Sequence, residues 1–146
     1  MADKSKPENS EFLPFEGMWL VSPDGAVACA KIINGKLLIP YSHGNEGKLT
    51  GHYYDCHLIG NKLVSRFQRF DSNVGGFLVL AIGPNRTLQG GWWVDKDIPQ
   101  AVREDISNLS DSLPRMVRSV WVFMPKEKTH PWAEKYFQAD PPWAAL

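Results

Sequence analysis

The stretch that decides the fold is Ala26–Ser42, AVACAKIINGKLLIPYS. Two apolar runs flank Asn34-Gly35. That dipeptide is the strongest two-residue hairpin signal, because a type I′ turn needs positive φ at both central positions. A two-residue loop fixes the register, with Ala28 opposite Tyr41 and Ile32 opposite Leu37. Ala26, Ala28, Ala30 and Ile32 then share a face with Leu37, Ile39 and Tyr41. Small residues opposing large ones suit the inside of a tapered barrel.

Outward from this hairpin the same pattern continues. Apolar runs at 17–22, 48–59, 62–70, 76–82, 87–94 and 116–124 are separated by turn residues such as Pro23-Asp24-Gly25, Gly60-Asn61 and Gly83-Pro84-Asn85. Several runs start alike, as in Gly35-Lys36-Leu37, Gly47-Lys48-Leu49 and Asn61-Lys62-Leu63. The irregular spacing marks a meander and not a solenoid. If Gly60-Asn61 is a two-residue loop, Leu58 faces Leu63, Cys56 faces Ser65, Tyr54 faces Phe67 and His52 faces Arg69. The opposite face pairs Asp55 with Arg66 and Tyr53 with Gln68. Burying charge is costly, so that face is read as the wet one.

Between Asp95 and Arg115 the period changes. Ile98, Val102, Ile106, Leu109 and Leu113 form one helical stripe, with Asp97 as cap and Pro99 in the first turn. This predicts a helix over about 99–110, lying across a mouth of the barrel so that 97–113 acts as a lid. A second helix, capped by Thr129, should carry Trp132, Tyr136 and Phe137 on one side. The fold class is therefore mainly β: an eight-stranded antiparallel up-and-down barrel with a helical insert before the last strand and a C-terminal helix. Residues 1–11 are expected to form a disordered polar tail, 12–125 the barrel domain and 126–146 the C-terminal helix and tail.

The opening Phe15-Glu16-Gly17-Met18-Trp19 and the meander over 15–124 resemble the calycin group, which includes lipocalins, fatty-acid-binding proteins and avidins. The resemblance implies a barrel with an internal ligand cavity. It also implies that Trp19 plugs the closed end while a cation from a late strand, here Arg118, packs across it. The later lipocalin loops and the helical lid of fatty-acid-binding proteins are absent, so no ligand or activity is carried over.

Composition excludes several classes. Sixteen Lys and Arg balance sixteen Asp and Glu, so the basic excess that nucleic-acid binding needs is absent. No apolar run approaches the ~20 residues of a membrane span. The N-terminal sequence has no secretory pattern, and two cysteines cannot make a disulfide framework. A cytoplasmic protein with free thiols is expected. Metal binding is not expected. In His52-Tyr53-Tyr54-Asp55-Cys56-His57, His52 and Cys56 would stand about 13 Å apart on a strand, too far to share one ion. No cofactor motif is present. Neither cysteine has the company of a nucleophile, and Gly44–Lys48 lacks P-loop spacing.

The aromatics carry the functional expectation. Trp19, Tyr41, Tyr54, Phe67, Trp92 and Trp121 would line an interior cavity, with His52 and Arg69 fixing its polar end. Trp92 and Trp93 are adjacent, so one points in and the other out. An inward Arg69 near His52 would suit an anionic head group. The expected function is binding of a small, partly apolar ligand. A cavity enzyme of isomerase, cyclase or lyase type would need Tyr54, His52 and Arg69 to converge. A packed interaction module would instead use Trp132, Tyr136, Trp143 and an outward Trp93, with self-association through the C-terminal aromatics.

Overall fold

Asn34 and Gly35 both take positive φ, 53° and 79°. They close the hairpin of β2 (Ala26–Ile33) and β3 (Lys36–Ser42), with Ala28 opposite Tyr41 and Ile32 opposite Leu37 throughout a constant register. The computed structural model describes residues 11–43 and 47–139. The remaining strands are β1 (Gly17–Ser22), β4 (Gly51–Ile59), β5 (Lys62–Arg69), β6 (Gly75–Ile82), β7 (Thr87–Val94) and β8 (Val117–Phe123). They pair antiparallel in chain order, and β8 returns to β1 to close an eight-stranded barrel. Closure removes the free strand edges that an open meander would expose.

The small-against-large pattern of β2 and β3 is realised inside. Ala28, Leu37, Ile39, Leu63, Leu78, Leu80, Leu88, Trp19 and Trp121 form one buried interior cluster. Phe15 belongs to it and accepts a hydrogen bond on its carbonyl oxygen from the Trp19 indole N–H at 2.9 Å. The end holding Phe15 is thus filled. Arg118 does not cross Trp19. It lies outward and exposed, since Ser119, Trp121 and Phe123 take the inward positions of β8. Phe123 meets Trp19 edge-on at 5.3 Å, and Arg86 from the β6–β7 turn lies 3.8 Å over the Phe123 ring. The cation comes from a turn and reaches the Trp through an intervening ring.

The β4–β5 hairpin departs from its expected register. Leu58 pairs with Leu63 and His57 with Val64, but the ladder shifts between Tyr54 and His57. Asp55 takes a positive φ of 54° at this bulge. Beyond it Tyr53 pairs with Phe67, His52 with Gln68 and Gly51 with Arg69. One extra residue reverses the faces of everything before it. Tyr53 therefore points inward, whereas His52 and Tyr54 point out. The Asp55–Arg66 ion pair of the outer face does form, with Arg66 Nε donating to Asp55 Oδ2 at 3.2 Å.

Two helical pieces cover the outer wall. The insert is not a lid. Its Ile98, Val102 and Leu109 pack on Val64, Phe77, Val79 and Trp93, the outward residues of β5, β6 and β7. Trp93 is fully buried there, and its indole N–H donates to Pro114 O at 3.1 Å. It is covered by its own chain, not offered to a partner. The predicted single helix is also shorter: α1 spans Gln100–Glu104, and a 3-10 turn follows at Ile106–Asn108. Asp105 separates them, because its carboxylate accepts from Ser107 N–H at 3.0 Å and caps a new turn. Asp97 ends a 3-10 turn instead of capping, and Pro99 holds the cap position.

The second helix, α2 (Pro131–Gln138), has His130 and not Thr129 at its N-cap. Its Trp132 and Ala133 pack on outward Met18 and Cys29, and Tyr136 is fully buried. The aromatics expected at an interface between copies thus face their own barrel; Trp143 lies outside the described residues. Leu20, Val120 and Val122 are exposed on the adjoining strands β1 and β8. Among the described residues no helix is long and apolar enough to cross a membrane.

Candidate functional site

The expected ligand set is divided by the barrel wall. At the end carrying the β1–β2, β3–β4 and β5–β6 connections, the interior opens as a cup of about 220 Å3. Tyr41 on β3, Tyr53 on β4, Phe67 on β5 and Trp92 on β7 follow one another around it, with successive ring centroids 5.0, 5.9 and 5.8 Å apart. Each is an inward residue of its strand. Two glycines make this ring of rings possible. A Cβ on Gly51 would lie 2.6 Å from the Tyr41 hydroxyl. One on Gly76 would lie 2.7 Å from the Phe67 ring and 1.9 Å from Trp93 O. Neither strand could carry a side chain there without displacing an aromatic or the backbone.

Asp24, His43 and Arg69 form the polar rim of the cup. His43 Nε2 stands 4.0 Å from Asp24 Oδ2. Arg69 donates to both oxygens of Asp71, Nε to Oδ1 at 3.0 Å and Nη2 to Oδ2 at 3.1 Å. Burial holds the phenols of Tyr41 and Tyr53 above the ordinary tyrosine range, so both are neutral hydrogen-bonding groups. Tyr41, Phe67, Trp92 and Arg69 of the expected set therefore do come together, joined by Tyr53. Trp19 and Trp121 lie deeper in the packed interior, where Trp121 touches Tyr53 at 5.3 Å. The Trp121 indole N–H is buried with no hydrogen-bond partner among the described residues.

His52 and Tyr54 are on the other side of the wall. His52 stacks on Tyr54 at 4.8 Å and is bounded by Phe70, and its Nδ1 meets the Tyr136 hydroxyl of α2 at 2.6 Å. Burial pulls its pKa down to about 4, so the ring is neutral near pH 7. It ties α2 to the barrel. Because His52 and Tyr54 face out while Arg69 faces in, the three do not converge as the cavity-enzyme expectation required.

A second and larger cavity, about 540 Å3, opens through the wall between β3 and β4. These strands pair only at Ile39–Tyr53, Pro40–His52 and Tyr41–Gly51. Pro40 has no N–H to offer the ladder, and the bulge at Asp55 turns the rest of β4 away. The resulting slot is lined by Phe12, Leu37, Leu38, Tyr54 and Cys56, with Lys36, Asp55 and His57 at its lips. Burial pushes the Cys56 thiol up to about 12, so it is a poor nucleophile at neutral pH. Among the described residues no three His, Cys, Asp or Glu side chains are grouped to hold a metal ion.

Sequence reasoning missed Tyr53 in the cup, and the slot altogether. The signals were present: a proline inside a strand run and an aspartate inside the next. Neither says by itself which way the strand turns. Comparison of the chain with family models, curated proteins and solved structures finds no match.

Proposed function

We propose that the protein binds a small, partly apolar molecule in the cup at the mouth of the barrel. The observation that carries this is the glycine-spaced ring of Tyr41, Tyr53, Phe67 and Trp92 beneath a polar rim. An apolar body with a few placed polar groups is the usual form of a small-molecule site. At about 220 Å3 the cup takes one ring or a ligand head group. Flat apolar groups gain from the exposed ring faces. Asp24, His43 and Arg69 supply donors and an acceptor for a polar substituent, and an anionic group would compete with Asp71 for Arg69. The calycin likeness is part of this proposal and rests on the closed barrel together with the opening Phe15–Trp19 motif.

Trp92 in the cup gives an intrinsic probe. Titration of tryptophan fluorescence with phenolics, indoles, flavins and tetrapyrroles should find a ligand with Kd below about 100 μM. Trp92→Ala should weaken it at least about tenfold, the scale of a buried aromatic contact. A panel with no binder, or a binder indifferent to both Trp92→Ala and Phe67→Ala, would overturn the assignment.

A further inference from the structure

We propose that the slot between β3 and β4 is a second binding site, separate from the cup, for a flat aromatic molecule carrying one anionic group. The slot is a consequence of backbone construction. Pairing of β3 with β4 stops at Ile39–Tyr53, and Asp55 holds a left-handed conformation just beyond, at φ 54°. A non-glycine residue there costs backbone energy and is retained where the surroundings hold it. Here both carboxylate oxygens are engaged, Oδ1 by His57 Nε2 at 2.8 Å and Oδ2 by Arg66 Nε at 3.2 Å. Both bonds lie at the surface, and the opening follows from the backbone path at the bulge.

The walls of the opening decide the ligand's body. Phe12, Leu37, Leu38 and the Tyr54 ring are apolar, and Tyr54 is itself held by stacking on buried His52. Its volume, about 540 Å3, lies within the usual range for small-molecule sites. The lips decide the charge. Asp55 is neutralised by Arg66, whereas Lys36 on the opposite lip has no carboxylate partner among the described residues. One positive charge is left over beside an apolar recess, and an anion placed there meets Lys36. At the cup, by contrast, the guanidinium of Arg69 is already engaged by Asp71.

The test uses the full chain and two fluorescent probes of matched shape, anilinonaphthalene sulfonate and the uncharged N-phenyl-naphthylamine. At low salt the sulfonate should bind about fivefold tighter than the neutral probe, and the margin should shrink as salt is raised. Lys36 is exposed at a strand start, so Lys36→Glu should fold normally while abolishing the margin and leaving the neutral probe unchanged. Tyr54→Ala, which removes one apolar wall of the slot, should weaken both probes about fivefold or more. Equal binding of the two probes, or a margin that survives Lys36→Glu, would overturn the anion assignment. Binding of both probes unchanged by Tyr54→Ala would place them elsewhere and overturn the site. None of these results bears on the cup, whose test is Trp92→Ala.

Discussion

The hairpins β2–β3 and β4–β5 open on similar turn chemistry and end with opposite outcomes. Asn34-Gly35 and Gly60-Asn61 each join two strands. In the first, the register set at the turn holds to the far end, so that Ala28 reaches Tyr41. In the second it holds only from Ile59–Lys62 to His57–Val64 and then slips by one. A turn fixes register only as far as the next bulge. The regular hairpin contributes Tyr41 to the cup. The bulged one does more: it swings Tyr53 into the cup, puts His52 under α2 and opens the slot.

The severest way to break this contrast is to delete Tyr54 and Asp55 together. Deleting Asp55 alone would leave Tyr53 opposite Phe67, but with both gone a continuous ladder turns His52 inward and expels Tyr53. The interior would gain an imidazole and lose the ring that touches Tyr41, Phe67 and Trp121. The deletion should cost more than about 4 kcal/mol or prevent folding, which urea titration followed by circular dichroism would measure. A double-deletion variant that folds with nearly unchanged stability would show that the barrel does not depend on which face of β4 carries Tyr53.

What was legible in the sequence follows the same division. The turns, the strand runs, the closed order and the β2–β3 faces all rest on local signals: positive-φ dipeptides and alternating apolar residues. These forces act within a few residues, so they can be read in a few residues. The faces of β4 could not be, because Tyr53 and Tyr54 are adjacent and either fits an inward position until the slip at Asp55 is known. The insert shows another limit. Its stripe of Ile98, Val102 and Leu109 was visible, but it could have covered a mouth or a wall. Only the outward Phe77, Val79 and Trp93, brought together by sheet pairing, made the wall the better partner. Arg86 was hidden for a similar reason, since a turn residue reaches Trp19 by way of Phe123 on the strand that closes the barrel.

A milder test uses His52, which the bulge placed outside and α2 then buried. Its pKa falls from 6.5 to about 4 on folding because burial disfavours the charged ring. The unfolded chain therefore binds the proton more readily. The contribution is fully present above pH 6.5, declines as pH falls toward about 4 and changes no further below that. It amounts to at most about 3 kcal/mol. His52→Gln should flatten stability across that interval in denaturant titrations at several pH values. An unaltered acid slope in the variant would assign the sensitivity to other groups and leave α2 docked independently of the neutral ring.

The smallest effects separate the backbone from the side chain at the two left-handed sites. Gly35→Ala puts a Cβ at φ 79° in the regular hairpin and should cost about 1 kcal/mol. Asp55→Gly does the reverse at φ 54°, relieving a comparable strain while losing the bonds to His57 and Arg66. Those bonds are on the surface, where an ion pair contributes about 0–1 kcal/mol. The two terms nearly cancel, so Asp55→Gly should stay within about 0.5 kcal/mol of the parent. A loss above about 2 kcal/mol would mean that the carboxylate, not the backbone conformation, keeps the bulge in place. The slot would then be held open by Asp55's two hydrogen bonds, and Asp55→Asn, which keeps the conformation but loses the charge, should weaken it in proportion.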